Sequence, residues 1–172
     1  CRYHTVSAAV LGCKFVLSEQ TANENFLNRT KMEKLEFNID INAPAQKVWR
    51  VLWNDDTYPQ WTAVFTEGSR AESDWKEGSK ILFLDAEGNG MFSKIKTLDE
   101  NSQMVFEHLG EVSKGVEKAQ EWGGATESYF LSEQNGKTAL TVELTGAGDH
   151  TDYFKNIFPK ALESVKNLAE QP

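Results

Sequence analysis

Leu35-Glu36-Phe37-Asn38-Ile39-Asp40-Ile41 alternates apolar and polar side chains without a break, and Asn42-Ala43-Pro44 ends the alternation. A period of two places Leu35, Phe37, Ile39 and Ile41 on one face and Glu36, Asn38 and Asp40 on the other, which is the pattern of a strand with one buried side. Pro44 has a φ suited to the first turn of a helix. The residues after it set Val48, Trp49, Val51, Leu52 and Trp53 on one apolar arc, and the helix is expected to end near Asn54-Asp55-Asp56. A short second helix or turn follows over 57–61, punctuated by Tyr58-Pro59. A half-buried strand running straight into a tryptophan-rich helix limits the fold to a few architectures.

Working outward, turn signals divide the middle of the chain into strands expected at 64–70, 80–85, 91–98, 103–109, 127–132 and 138–145. Glu87-Gly88-Asn89-Gly90 and Gln134-Asn135-Gly136 read as tight turns that need positive φ, and residues 110–124 read as a long polar connection. The chain closes on a helix expected over 150–169, where Tyr153, Phe154, Ile157, Phe158, Ala161, Leu162, Val165 and Leu168 recur at helical spacing. Pro159 lies inside that pattern and predicts a kink or restart, because it removes a backbone donor and crowds the preceding turn. Asp149 or Thr151 is the expected cap of this helix, with Asp152 near its positive end. Hairpin-length turns between most strands argue for an antiparallel sheet. The expected fold class is therefore α+β: a curved antiparallel sheet of about seven strands wrapped around a long C-terminal helix, with two short helices after strand one. Such a wrap leaves space between sheet and helix, lined by aromatic side chains.

Composition sets the bounds on partners. The 172 residues are 40% hydrophobic and carry a net charge of −8, enough for one domain with a substantial core. Residues 1–31 hold four basic and two acidic side chains, so the remainder stands at −10. That surface repels phosphate backbones and disfavours nucleic acid and anionic membranes as partners. No apolar run approaches the roughly 20 residues that cross a bilayer. Both cysteines, Cys1 and Cys13, precede residue 31, which excludes a disulfide framework for the main body and makes a cytoplasmic location the simplest expectation. Strong periodicity begins directly after Met32. Residues 1–31 are accordingly expected to be an N-terminal extension and 32–172 the domain, with Met32 its natural start.

The chemistry-bearing residues are few. Met104, Phe106 and His108 share a strand face, which makes His108 a polar group in an apolar wall, able to bind or protonate a ligand; a slip of one residue would bring Glu107 inward instead. Glu127, Tyr129 and Leu131 share a face of a later strand, so Glu127 is placed to pair with His108 across the interior and Tyr129 to donate a hydrogen bond. Trp61 and Trp122 lie beside loops, where the mouth of a cavity is expected. Phe83 faces inward from its strand, and Phe154 and Phe158 form the helix side. Trp49 and Trp53 are one turn apart and read as packing under the sheet. Three histidines at 4, 108 and 150 have no zinc spacing, and no serine has the context of a nucleophile elbow. No metal, cofactor or catalytic residue is expected from these patterns.

The ordered set Ile41-Asn42-Ala43-Pro44, Val48-Trp49, Trp61, Asp74-Trp75-Lys76-Glu77-Gly78-Ser79-Lys80 and Phe106-Glu107-His108-Leu109-Gly110 resembles the START-like, Bet v 1-like helix-grip superfamily, also called SRPBCC. Within it the chain resembles the branch related to the activator of the heat-shock chaperone ATPase, over roughly 32–170. The resemblance implies a deep cavity between the sheet and the C-terminal helix. It also implies binding of a small apolar molecule such as a lipid, an aromatic or a polyketide-like compound. Cyclase or hydratase-like activity using His108 with Glu127 or Tyr129, and a co-chaperone or stress-response role with a chaperone partner, are the alternatives it carries.

Overall fold

The computed structural model describes residues 34–120 and 124–172. The readings of residues 1–31, of Met32 as a start and of Trp122 lie outside those residues. Strand β1 (Lys34–Ile41) leads to helices α1 (Ala45–Trp53) and α2 (Tyr58–Thr62). Strands β2 (Arg70–Ser73), β3 (Lys80–Leu84), β4 (Gly90–Asp99), β5 (Gln103–Ser113), β6 (Val116–Ala119), β7 (Thr126–Gln134) and β8 (Lys137–Thr145) follow, and α3 (Thr151–Glu170) ends the chain after a 3₁₀ turn at Gly148–His150. All pairings are antiparallel, in the order β1-β8-β7-β5-β4-β3-β2, with β6 folded back onto the end of β5. The curved sheet wraps around α3, with the two short helices closing one end: a helix-grip α+β fold.

The alternation in β1 puts Leu35 and Ile41 in the core and leaves Glu36, Asn38 and Asp40 exposed. On α3 the buried positions are Phe154, Phe158, Ala161, Leu162, Val165 and Ala169, a single stripe that closes the open side of the sheet. Phe158 stacks on Phe37 with ring centroids 4.9 Å apart and packs edge-on against Phe65 at 5.3 Å. The corner between β1 and α1 is held by distant chain: Glu133 accepts a hydrogen bond from the Ala45 amide (2.8 Å), Thr138 Oγ1 donates to the Ala43 carbonyl (2.7 Å), and Glu170 accepts from the Asn42 amide (2.7 Å). Pro44 has no side chain to cap α1, so Glu133 fills that role from β7.

Four expectations need correction in detail. The sheet has eight strands, because residues 116–119, read as polar connection, form β6. Gly110 permits this: a Cβ there would stand 2.3 Å from the Lys118 carbonyl oxygen and 2.5 Å from the Phe92 ring. The strand expected at 64–70 begins only at Arg70, since the Phe65 and Thr66 amides both bond the Thr62 carbonyl (2.9 and 3.3 Å) and continue the winding of α2. Helix α3 runs without interruption through Pro159. Pro159 and Lys155, whose carbonyl loses its bond, are both exposed, so the missing bond falls on the solvent face of the helix. The cap of α3 is not as expected either: His150 occupies that position, and Thr151 Oγ1 instead donates to the Gly148 carbonyl (2.8 Å).

The tight turns fall where the residues place them. Asn135 and Gly136 have φ of 54° and 73° and join β7 to β8, the backbone of a two-residue hairpin turn.

Candidate functional site

Strand parity decides which side chains meet inside. On β5 Met104, Phe106 and His108 face inward and Glu107 is only half-buried. On β7 Glu127 and Tyr129 face the same interior, with Glu127 opposite Phe106 and Tyr129 opposite Met104. Opposite Phe92 and Ser93 of β4, β5 carries one extra residue, Leu109, and this bulge brings Ser93 directly opposite His108. The result is a continuous row of buried polar groups. Ser93 Oγ lies 2.8 Å from His108 Nδ1, His108 Nε2 lies 3.5 Å from Glu127 Oε2, and the Tyr129 hydroxyl donates to Glu127 Oε1. Exposure is 0% for Ser93, His108 and Tyr129 and 1% for Glu127.

The row ends are satisfied and its middle is not. Among the described residues, His108 Nε2 and Glu127 Oε2 have no hydrogen-bond partner, although they face each other at 3.5 Å. Buried polar atoms are nearly always paired, and here the nearest partner of each is the other, at ion-pair distance rather than in a hydrogen bond. Burial and the negative charge of Glu127 push the Tyr129 phenol well above its ordinary range, and Tyr58 adds to the effect. Tyr129 is therefore held as a neutral donor. The imidazole is held by the Ser93 hydroxyl at Nδ1, and the Glu127 carboxylate faces Nε2 at 3.5 Å, within ion-pair reach.

Aromatic side chains surround the row. Phe83 and Phe106 meet edge-on at 5.1 Å, and Phe83 lies 6.4 Å from the His108 ring. Trp53 from α1 packs edge-on against Tyr129 at 4.9 Å and Phe106 at 5.3 Å. Phe154 and Phe158 lie 5.9 Å apart on α3, with Phe158 turned toward Phe37 and Phe65. Trp61 is fully buried rather than at a rim, and its indole N–H donates to the Leu52 carbonyl at 3.1 Å. Of the residues singled out from sequence, the structure thus brings Trp61, Phe83, Phe106, His108, Glu127 and Tyr129 together, Trp61 through an edge-on contact with Tyr129 at 6.4 Å, while Phe154 and Phe158 serve the α3–β1 end.

Sequence reasoning missed Ser93 and Tyr58, and read only the packing role of Trp53, which the structure bears out. Ser93 is an unremarkable serine in a strand and becomes a partner of His108 only through the bulge. Tyr58 and Trp53 look like helix packing, yet both line a surface hollow of about 280 Å³ with Asp55, Pro59, Arg70, Ala71 and Glu72. The large size of both rings near a helix end was the one signal available. A second, shallower hollow of about 510 Å³ lies on the outer face of α3 along Pro159, Lys160, Glu163, Ser164 and Asn167.

A curved antiparallel sheet gripping a long C-terminal helix, with a polar row inside an aromatic interior, is the architecture of the START-like, Bet v 1-like helix-grip superfamily. The chain belongs to the family described as Activator of Hsp90 ATPase homolog 1-like protein, whose profile matches residues 42–170. It is similar to the Aha1 dimer from Colwellia psychrerythraea, with 21% identity, a TM-score of 0.62, and coverage of 81% of this chain and 97% of that one. DynU16, a protein of the dynemicin biosynthetic locus, shares the fold at 13% identity and a TM-score of 0.62, over 80% of this chain and 47% of that one. CalU16 from Micromonospora echinospora does so at 15% identity and a TM-score of 0.57, over 80% of this chain and 76% of that one. No curated protein matches the sequence. Among the described residues no helix is long and apolar enough to cross a membrane.

Proposed function

We propose that the protein binds a small, mostly apolar molecule in the interior between the sheet and α3. The observation that carries this reading is the pair of unpartnered atoms, His108 Nε2 and Glu127 Oε2, buried among Phe83, Phe106 and Trp53. A purely structural core gains nothing from leaving two polar atoms unpaired. A binding interior uses a few convergent polar groups in an apolar wall to fix a ligand's orientation. Native mass spectrometry of freshly purified protein, followed by thermal-shift screening against lipids and aromatic compounds, tests it. The expected result is a bound mass or a clear rise in Tm with at least one chemical class. A bare polypeptide mass with no stabilisation across the library overturns the proposal.

The His108–Glu127–Tyr129 contacts favour a second reading, in which the same interior performs acid–base chemistry of the cyclase or hydratase type. His108→Ala with unchanged turnover, once a substrate is found, would remove it. The family's description motivates a third, a chaperone-associated role. The surface offers it little: the exposed large apolar side chains among the described residues are Val64, Val116 and Tyr153, each on a different segment. A pull-down with a heat-shock chaperone that recovers no complex disposes of it.

A further inference from the structure

The hollow beside α2 and the polar row are separated by two side chains. Trp53 and Tyr58 line the hollow on its inner side at 8% and 2% exposure. From the other side Trp53 packs on Tyr129 and Phe106, and Tyr58 packs against Phe83 at 6.5 Å. Tyr58 also stands close enough to Tyr129 to shift its ionisation. The Trp53 indole N–H is itself a buried donor without a hydrogen-bond partner among the described residues. Three buried atoms without a hydrogen bond, Trp53 Nε1 and the His108 Nε2–Glu127 Oε2 pair in contact at 3.5 Å, therefore lie in one aromatic cluster beside the hollow.

The electrostatics along this line are one-sided. At the rim the Arg70 guanidinium is already engaged by Glu72 (2.8 Å) and the Asp85 carbonyl (2.6 Å), and Asp55 adds a second acid. At the inner end Glu127 presents an oxygen that accepts, beside a ring nitrogen 3.5 Å away. A group that both donates and accepts can bond both atoms from beside the pair, since 3.5 Å leaves no room between them. A second carboxylate would be buried against a like charge, which is costly in a dry interior.

We propose that the hollow is the outer mouth of a passage gated by Trp53 and Tyr58, and that its inner end receives the hydroxyl group of a neutral apolar molecule while rejecting the carboxylate of the same carbon skeleton. This rests on the reading of an interior ligand site given above and names the ligand class for it. The hydroxyl donates to Glu127 Oε2 and meets His108 Nε2, and the hydrocarbon part replaces contacts now made among Trp53, Tyr58 and Phe106.

Three matched probes test the proposal on the intact protein: naphthalene, 2-naphthol and 2-naphthoate, titrated at neutral pH with tryptophan fluorescence and calorimetry as readouts. The expected order is 2-naphthol tightest, naphthalene intermediate, and 2-naphthoate about tenfold or more weaker than 2-naphthol, as a buried like-charge contact demands. Binding of all three with equal affinity overturns the hydroxyl preference and leaves the interior site standing. Binding of none of them overturns both. Glu127→Gln should bring 2-naphthoate close to 2-naphthol, and an unchanged ratio in the folded variant refutes the role of Glu127. Because that side chain is buried, the wild-type ratio carries the test if the variant folds poorly. Ala71→Trp fills the hollow from the half-exposed strand β2. It should slow 2-naphthol association by about tenfold, as blocking a gated path does, with Tm unchanged. An unchanged association rate shows that the mouth lies elsewhere.

Discussion

At the α3–β1 end of the interior, Phe158 stacks on Phe37, meets Phe65 edge-on and leans toward Phe154, and every contact is hydrocarbon. At the β4–β5–β7 end, Ser93, His108, Glu127 and Tyr129 are buried to the same degree and form a polar row with two atoms left unpaired. Both ends lie under one sheet, and the polar end is no more exposed than the apolar one, where Phe37 is only partly buried, so solvent exposure does not explain the difference. The first end does what a core does and stabilises the fold by burial. The second buries polar groups that must be desolvated, which is where the proposed ligand site and an ordinary core make different predictions.

Substitutions separate the two ends most sharply. Phe158→Ala should lose about 3–5 kcal/mol in urea unfolding, the range for truncating a fully buried aromatic, and a loss below ~1 kcal/mol would show that the α3–β1 end is loosely packed. Replacing the whole polar row (Ser93→Ala, His108→Leu, Glu127→Leu, Tyr129→Phe) should instead be neutral or raise stability by up to about 4 kcal/mol while abolishing ligand binding. A large loss of stability there would mean that the row is structural. Tyr129→Phe alone should cost about 1–3 kcal/mol, because it strips a buried carboxylate oxygen of its donor. Glu133→Ala, at the rim of both ends, should cost roughly 0.5–2 kcal/mol through the lost cap on α1.

The smallest effect is in pH. Burial and the neighbouring Glu127 charge hold the Tyr129 phenol well above the ordinary tyrosine range in the folded state, so the unfolded chain loses that proton first. Stability from this group is fully present below the unfolded value and falls as pH rises from it toward the folded one. Equilibrium unfolding followed above the ordinary tyrosine range should show this fall, and Tyr129→Phe should flatten it.

The readable part of the fold was local. The alternation of Leu35 to Ile41 and the stripe from Phe154 to Val165 each lie within a few residues, and burial follows them directly. The inward facing of Phe106, His108, Glu127 and Tyr129 was legible for the same reason, since a strand's period of two needs no tertiary information. Ser93 was not legible, because its meeting with His108 depends on a bulge. Nor was the contrast between Trp53, which reaches the hollow, and Trp61, which is sealed with its N–H on Leu52, although both rings pack on Tyr129. Both are tryptophans in short apolar helices, and nothing in their neighbours' identities separates them.

The sequence by itself determined the order of elements, their buried faces and the absence of charge suited to nucleic acid, because periodicity and composition act at short range. The tertiary structure decided which buried groups touch. Glu133 caps a helix 88 residues away, a shift of register aligns Ser93 with His108, and β6 folds onto β5 through the bare backbone of Gly110. Each of these depends on how separate strands pair, and pairing is set by the packing of the whole sheet on α3, which no local pattern encodes.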